Sequence, residues 1–292
     1  MKTRLLVILL SLSLSLFSQH NSSYTQYMFN GLLLNPAYAG SNDALNLTAL
    51  YRKQWLGLDG SPTTITFSAH SPLKNEKVAL GVVVMDDKFG VSDHTKMDLI
   101  YAYRVKLGKG KLSFGLQGGV DSYKTNWDQV RTTQLRDPSF TINSVRNIQA
   151  QAGFGLYYYS QNMYIGASIP SILNNNQMKY QTAVATAGCV LSISDVIKIK
   201  PAVLVRYILD SPLDVNVTTT FYWRNVLGLG LGYSINSTAM SFLDLKVNDQ
   251  FRIGYAYDYT LSTLRNYNTG SHEIMLRYLF NYRVNVSSTR YF

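Results

Sequence analysis

The chain has 292 residues, of which 46% are hydrophobic, 15% are charged and 22 are tyrosine. Soluble domains carry roughly 25% charged residues, so this composition suits a sheet protein with amphipathic surroundings better than a water-exposed globule. The net charge is +10, but Lys and Arg are scattered with no dense run and no nucleic-acid motif, and the single Cys189 rules out an internal disulfide or a cysteine metal cluster.

Met1-Lys2-Thr3-Arg4 is a short basic head, Leu5 to Phe17 is apolar, and polarity returns at Gln19. This plan predicts a secretory signal peptide over 1–18, although Leu16 is larger than the residue preferred at −3. The apolar stretch falls short of the about 20 residues that a spanning helix needs, and no later segment reaches that length. Membrane entry would therefore require a closed barrel, because lipid leaves an open sheet edge without partners.

Residues 19–43 form a pre-barrel arm that contains Asn35, Pro36, Ala37, Tyr38 and Gly40. Pro36 biases Asn35 toward extended backbone, and Gly31 and Gly40 permit turns. The Leu32-Leu33-Leu34 trio favours leaving water. It predicts an arm folded into the barrel or against its mouth as a plug; a disordered leader is the other reading.

From residue 44 to 292 a period of two dominates, which places successive side chains on opposite faces. Met97, Leu99, Tyr101, Tyr103, Val105 and Leu107 share one face, against Lys96, Asp98, Ile100, Ala102, Arg104 and Lys106. Phe251, Ile253, Tyr255, Tyr257 and Tyr259 repeat the design. Such runs predict an all-β, transmembrane antiparallel barrel of about 14 strands, of outer-membrane type. The segments are 44–54, 62–71, 77–86, 94–107, 111–123, 146–159, 163–170, 179–193, 197–209, 213–223, 226–235, 239–247, 251–260 and 272–284. Tight turns such as 108–110, 160–162 and 248–249 alternate with longer connections such as 55–61, 87–93, 124–145 and 261–271. With a periplasmic N-terminus, the tight turns would be periplasmic and the longer loops extracellular. Asn147, Gln149, Gln151, Gly153 and Gly155 on the face opposite the apolar one suit a wet lumen. The terminal aromatic Phe292 fits an assembly signal of such barrels.

Several residues stand out as site candidates. Arg52, Arg252, Asp258, Glu273 and Arg277 would face the lumen near the closure of the first and last strands. They read either as an ion-pair network, since buried charges need partners, or as a solvated wall. The loop 124–145 carries Trp127, Arg131, Arg136 and Phe140, residue types favoured at interface anchors, and reads as a partner-facing surface or a plain loop. Asp86-Asp87 has too few neighbouring oxygen ligands for a cation site. His20, His70, His94 and His272 form no close metal pair, and no Gly-x-Ser-x-Gly elbow is present. No cofactor is expected.

The stretch Gln26-Tyr27-Met28-Phe29-Asn30-Gly31-Leu32-Leu33-Leu34-Asn35-Pro36-Ala37-Tyr38-Ala39-Gly40 resembles the start of the PorP/SprF family. Tyr51-Arg52-Lys53-Gln54-Trp55, Gly60-Ser61-Pro62-Thr63-Thr64, Ser68-Ala69-His70-Ser71-Pro72, Asp86-Asp87-Lys88-Phe89-Gly90, Leu99-Ile100-Tyr101-Ala102-Tyr103 and Gly270-Ser271-His272-Glu273-Ile274 follow in the family's order. The resemblance implies a non-enzymatic outer-membrane component of the type IX secretion system, a system tied to gliding motility. It also implies, as partners, periplasmic ring or peptidoglycan-associated components and a cell-surface adhesin with a C-terminal sorting domain, beside outer-membrane lipid. A porin or small-solute transporter is the alternative that the residues leave open.

Overall fold

The computed structural model describes residues 30–74, 76–127, 146–172, 182–209, 211–235 and 238–280. Residues 1–18, expected to be a signal peptide, the first part of the arm and the terminal Phe292 lie outside them. The strands are β1 (Leu45–Lys53), β2 (Thr63–Pro72), β3 (Val78–Phe89), β4 (Ser92–Leu107), β5 (Gly110–Thr125), β6 (Arg146–Tyr159), β7 (Met163–Ser171) and β8 (Thr182–Cys189). There follow the two-residue β9 (Leu191–Ser192), β10 (Ile197–Ile208), β11 (Asp214–Trp223), β12 (Leu227–Ser234), β13 (Thr238–Lys246), β14 (Phe251–Thr260) and β15 (Ser271–Phe280). Both β8 and β9 pair with β10, so β9 continues β8 past a break at Val190 and the ring has fourteen staves.

Every described neighbour is antiparallel, and β15 pairs back onto β1 from Leu45↔Phe280 to Lys53↔His272. Closure leaves no edge, which is the condition for a sheet in hydrocarbon. The expected strands all appear, with one shift of connection. The loop expected at 87–93 is a tight hairpin, because β3 runs to Phe89 and β4 starts at Ser92. Asp86 and Asp87 are therefore strand residues, and Asp87 accepts from Thr64 Oγ1 at 2.6 Å.

The alternation sorts the two faces. Leu99, Leu116, Ile148 and Leu231 point outward and are more than half exposed. Tyr51, Tyr207, Tyr233 and Tyr259 lie outward near the end that carries the longer loops, and Tyr103, Trp223 and Phe280 near the end that carries the tight turns. This is the two-girdle arrangement of a barrel crossing a bilayer. In one of the tight turns Arg224 and Asn225 both have positive φ, as a type I′ hairpin requires. β4 and β5 span 16 residues each, more than the about 9–11 a tilted crossing needs. Their surplus, from Ser92 to Lys96 and from Asp121 to Thr125, is polar on both faces and extends past the loop-end rim.

The inner face is packed rather than wet. Thr48, Ser68, Ala102, Gln151, Leu204, Thr220, Phe242 and Met275 are all buried. Phe242 lies over Gly230 and Tyr222 over Gly228, so glycines on one strand make room for rings from another. Gly153 faces no solvent either; the Pro170 carbonyl covers it.

Leu231 is 66% exposed on the outer face of β12. Leu231→Arg should cost about 2–4 kcal/mol if that face meets the bilayer midplane. Urea unfolding in lipid vesicles measures it; an unchanged midpoint would place Leu231 away from lipid.

Candidate functional site

The described part of the arm lies against inward-facing side chains of β2 and β4–β7. Two short 3-10 turns, Gly31–Leu33 and Pro36–Tyr38, fold it back on itself. Asn35 is extended (φ −146°, ψ 115°), as the following proline demands. Its side chain caps the second turn by accepting from the Ala37 amide at 2.9 Å, and Pro36 occupies the first helical position, where a missing N–H costs nothing. Gly40 has φ +74°, so here the chain reverses in the left-handed region. Gly31 does different work: the Tyr38 ring packs where its Cβ would be.

The barrel wall is shaped to this arm. Inward Gly115, Gly155 and Gly166 form a shallow bed on β5, β6 and β7. A methyl group at Gly115 would overlap the Ala37 nitrogen, and one at Gly155 would overlap Asn35 Oδ1. Asn35 Nδ2 donates to the Leu156 and Ala167 carbonyls at 2.9 and 3.3 Å. Ser168 Oγ donates to the Leu34 carbonyl at 2.6 Å. Asn30 bonds to Ser68 at 3.0 Å, and the Gly40 amide donates to His70 Nδ1 at 3.0 Å. Tyr38 packs edge-on against His70 and Tyr157, with ring centroids 5.5 Å apart in each case. At the turn-end mouth Asp43 accepts from Arg104 at 2.9 Å and from Lys111 at 3.1 Å. Leu32, Ala37, Tyr38 and Ala39 end up buried in one cluster with Tyr157, Tyr159 and Tyr164.

The five lumen charges separate into two layers. Near the loop end Arg52 reaches across the closure, donating to Asp258 at 2.7 Å and to Glu273 at 3.0 Å, with all three side chains buried. Arg52 and Glu273 are register partners on β1 and β15. Near the turn end Arg252 pairs with Asp244 on β13 and lies in register with Arg277. Lys200 on β10 belongs to this second layer, interacting electrostatically with Arg277, Asp244 and Arg252. A further pair, Arg206–Asp214 at 3.1 Å, with Arg206 buried and Asp214 half-buried, joins β10 to β11.

Lys200, Asp244 and the Asp43–Arg104–Lys111 group escaped sequence reasoning as sites. The alternation does put Arg104 and Asp244 on the inner face, but nothing local says which strands face each other. Gly155, which with its alternating neighbours suits a wet lumen in sequence, instead lies under Asn35 of the arm. Trp127 stands half-buried just past β5, whereas Arg131, Arg136 and Phe140 lie outside the described residues. Among the described residues no group of three His, Cys, Asp or Glu side chains could hold a metal ion.

The sequence profile described as "Type IX secretion system membrane protein PorP/SprF" matches residues 16–278. No curated protein matches the chain. Among solved structures, the Acinetobacter baumannii outer membrane protein Omp33 is similar with a TM-score of 0.50 at 8% identity, over 82% of this chain and 100% of that one. A deletion mutant of the TodX monoaromatic hydrocarbon channel gives a TM-score of 0.50 at 11% identity, over 87% and 94% of the two chains. At these identities the likeness is one of fold, an outer-membrane barrel.

Two substitutions test the arm and the seam. Gly115→Val should dislodge the arm, so that proteinase K cuts within residues 30–43 of the folded barrel. Gly118→Val should leave the arm protected, since a Cβ at this outward glycine meets only the Gln151 carbonyl at 4.0 Å. Arg52→Met should cost about 3–5 kcal/mol by leaving two carboxylates buried without their cation. Adding Asp258→Asn and Glu273→Gln should restore most of that loss in urea unfolding.

Proposed function

The chain belongs to the type IX secretion system membrane protein PorP/SprF family, and from this premise we propose that it is a non-enzymatic accessory of the secretion machine, a docking piece rather than a conduit. The family and the barrel fold make it an outer-membrane component of that system. The observation that carries the finer reading is the filled interior. The inward side chains are buried, and the arm packs on the Gly115–Gly155–Gly166 bed. A solute channel needs a polar passage with space for its cargo, and the burial of these walls favours the accessory over the porin reading.

On this proposal residues 1–18 direct export and are removed, and residues 19–43 act as a resident plug. The loop end then faces outward, where 126–145, with Trp127, Arg131, Arg136 and Phe140, meets an adhesin-type client with a C-terminal sorting domain. The turn end faces the periplasmic ring or peptidoglycan-associated parts of the machine. Gliding motility would follow from display of that adhesin. The seam layer of Arg52, Asp258 and Glu273 and the turn-end layer of Arg252 and Arg277 hold the docking platform rigid.

Deleting the chain in its native host should remove the adhesin-type client from the cell surface, read by antibody labelling of whole cells. The wild-type chain should restore it, and a version with 128–145 replaced by a Gly-Ser linker should not. Undiminished surface client in the deletion strain would contradict the role. Pore currents of porin size from the purified barrel in planar bilayers would instead favour a channel.

A further inference from the structure

The fold sorts the chain's charge between its two ends. Lys106 on β4, Lys111 on β5, Lys198 on β10, Lys246 on β13 and Arg252 on β14 each stand two residues beyond a buried inward position, toward the turns. All five therefore share the inward face. Lys74, Lys77, Lys109 and Arg224 stand exposed on the tight turns or beside them. Against these nine cations the rim carries four carboxylates, Asp43, Glu76, Asp195 and Asp249. Pairs such as Lys111–Asp43 at 3.1 Å and Lys246–Asp249 at 2.6 Å lie within the rim and leave its sum unchanged. The buried charges just above it, Arg104, Lys200 and Arg277 with Asp244, do not offset the excess. The flanking segments 1–29 and 281–292 add no Asp or Glu side chain. At the loop end the described side chains that are not buried balance, with six Lys or Arg from Lys53 to Arg265 and five Asp from Asp59 to Asp214.

We propose that the turn-end rim is the seat of an acidic face of a periplasmic protein, which lies across the mouth on the barrel axis. The inference rests on the reading that the turn end faces the periplasm, and it adds the chemistry of the partner. Like charges gathered around a mouth with low-dielectric walls focus the potential and steer a partner of opposite charge. Exposed charges act over only about 8 Å at physiological salt, so the partner has to sit on the rim itself. Direction separates protein from lipid. The strand cations occupy the inward face, whereas their outward neighbours Leu107, Ile197 and Leu245 are exposed and apolar. Anionic headgroups surround a barrel on its outward side, and basic residues that hold them stand there.

A photo-crosslinking side chain at Lys109 reads the rim in the native host with the full chain as its only copy, and one at Lys88 reads the loop end. Ultraviolet light should join position 109 to a periplasmic protein, and peptide mapping should place the adduct on a segment rich in Asp and Glu. Lys74→Gln with Lys106→Gln should lower the yield, and Lys74→Glu with Lys106→Glu should lower it further, about tenfold. Both pairs should leave the barrel folded, read by its heat-modifiable mobility on gels, since these side chains are exposed. No adduct, an adduct to phospholipid alone or one on a segment without acidic residues would overturn the inference. Capture of the same protein from position 88, or a yield that ignores the charge of the variants, would overturn it too. Surface display of the client separates the two readings. Display that still depends on the chain leaves the docking role standing when the acidic seat fails, and display that does not depend on it sinks the docking role itself.

Discussion

Hydrocarbon has no hydrogen-bond partner to offer a peptide group. A sheet that enters it has to satisfy every N–H and C=O within the protein, and a fourteen-stave ring does so only by joining its first strand to its last. Here that joint is the β1–β15 ladder, in register from Leu45↔Phe280 to Lys53↔His272. The closed ring fixes the rest. It sends alternate residues outward to lipid as Leu, Ile and aromatic girdles. It confines the others to a narrow interior that must then be filled or flooded.

This chain fills it. Small residues on one stave take large ones from another, as Gly230 takes Phe242. On the opposite wall the partner is the chain's own arm, laid on three glycines and pinned through Asn35 to carbonyls of β6 and β7. Packing at this density makes the arm part of the barrel's core, and voids or overlaps there are felt directly in stability. The buried charges follow the same logic: Arg52 lies at the closure, and its two carboxylates come from the strands on the far side of that joint. A packed cylinder is in keeping with the proposed docking role, in which the rims meet the partners.

Strands were legible in the sequence because alternation is local. Ten residues such as Phe251 to Thr260 reveal their two faces without reference to the rest of the chain, and tight turns mark their ends. Strand ends were less so: the hairpin at Gly90-Val91 and the break at Val190 depend on which neighbour continues the ladder. The interior was least legible of all. Asn35 and its acceptor Leu156 are 121 residues apart, and the glycines beneath the arm look the same in sequence whether they face water or a backbone. Likewise Arg252 belongs with Asp244 rather than with the Arg52 layer, because strand tilt and height set the neighbours, and neither is written in any single segment. What the sequence did carry about the arm was chemical: three leucines and an Asn-Pro step that had reason to seek a dry, ordered setting.

The occupied lumen is the claim on which the docking role stands, and amide hydrogen exchange of the arm in the detergent-solubilised chain tests it most directly. The Ala37 and Gly40 amides, bonded to Asn35 Oδ1 and His70 Nδ1, should exchange as slowly as those of the central strands. Exchange of both at the rate of an unstructured peptide, with the strands still protected, would mean that the arm lies outside and the barrel stands open.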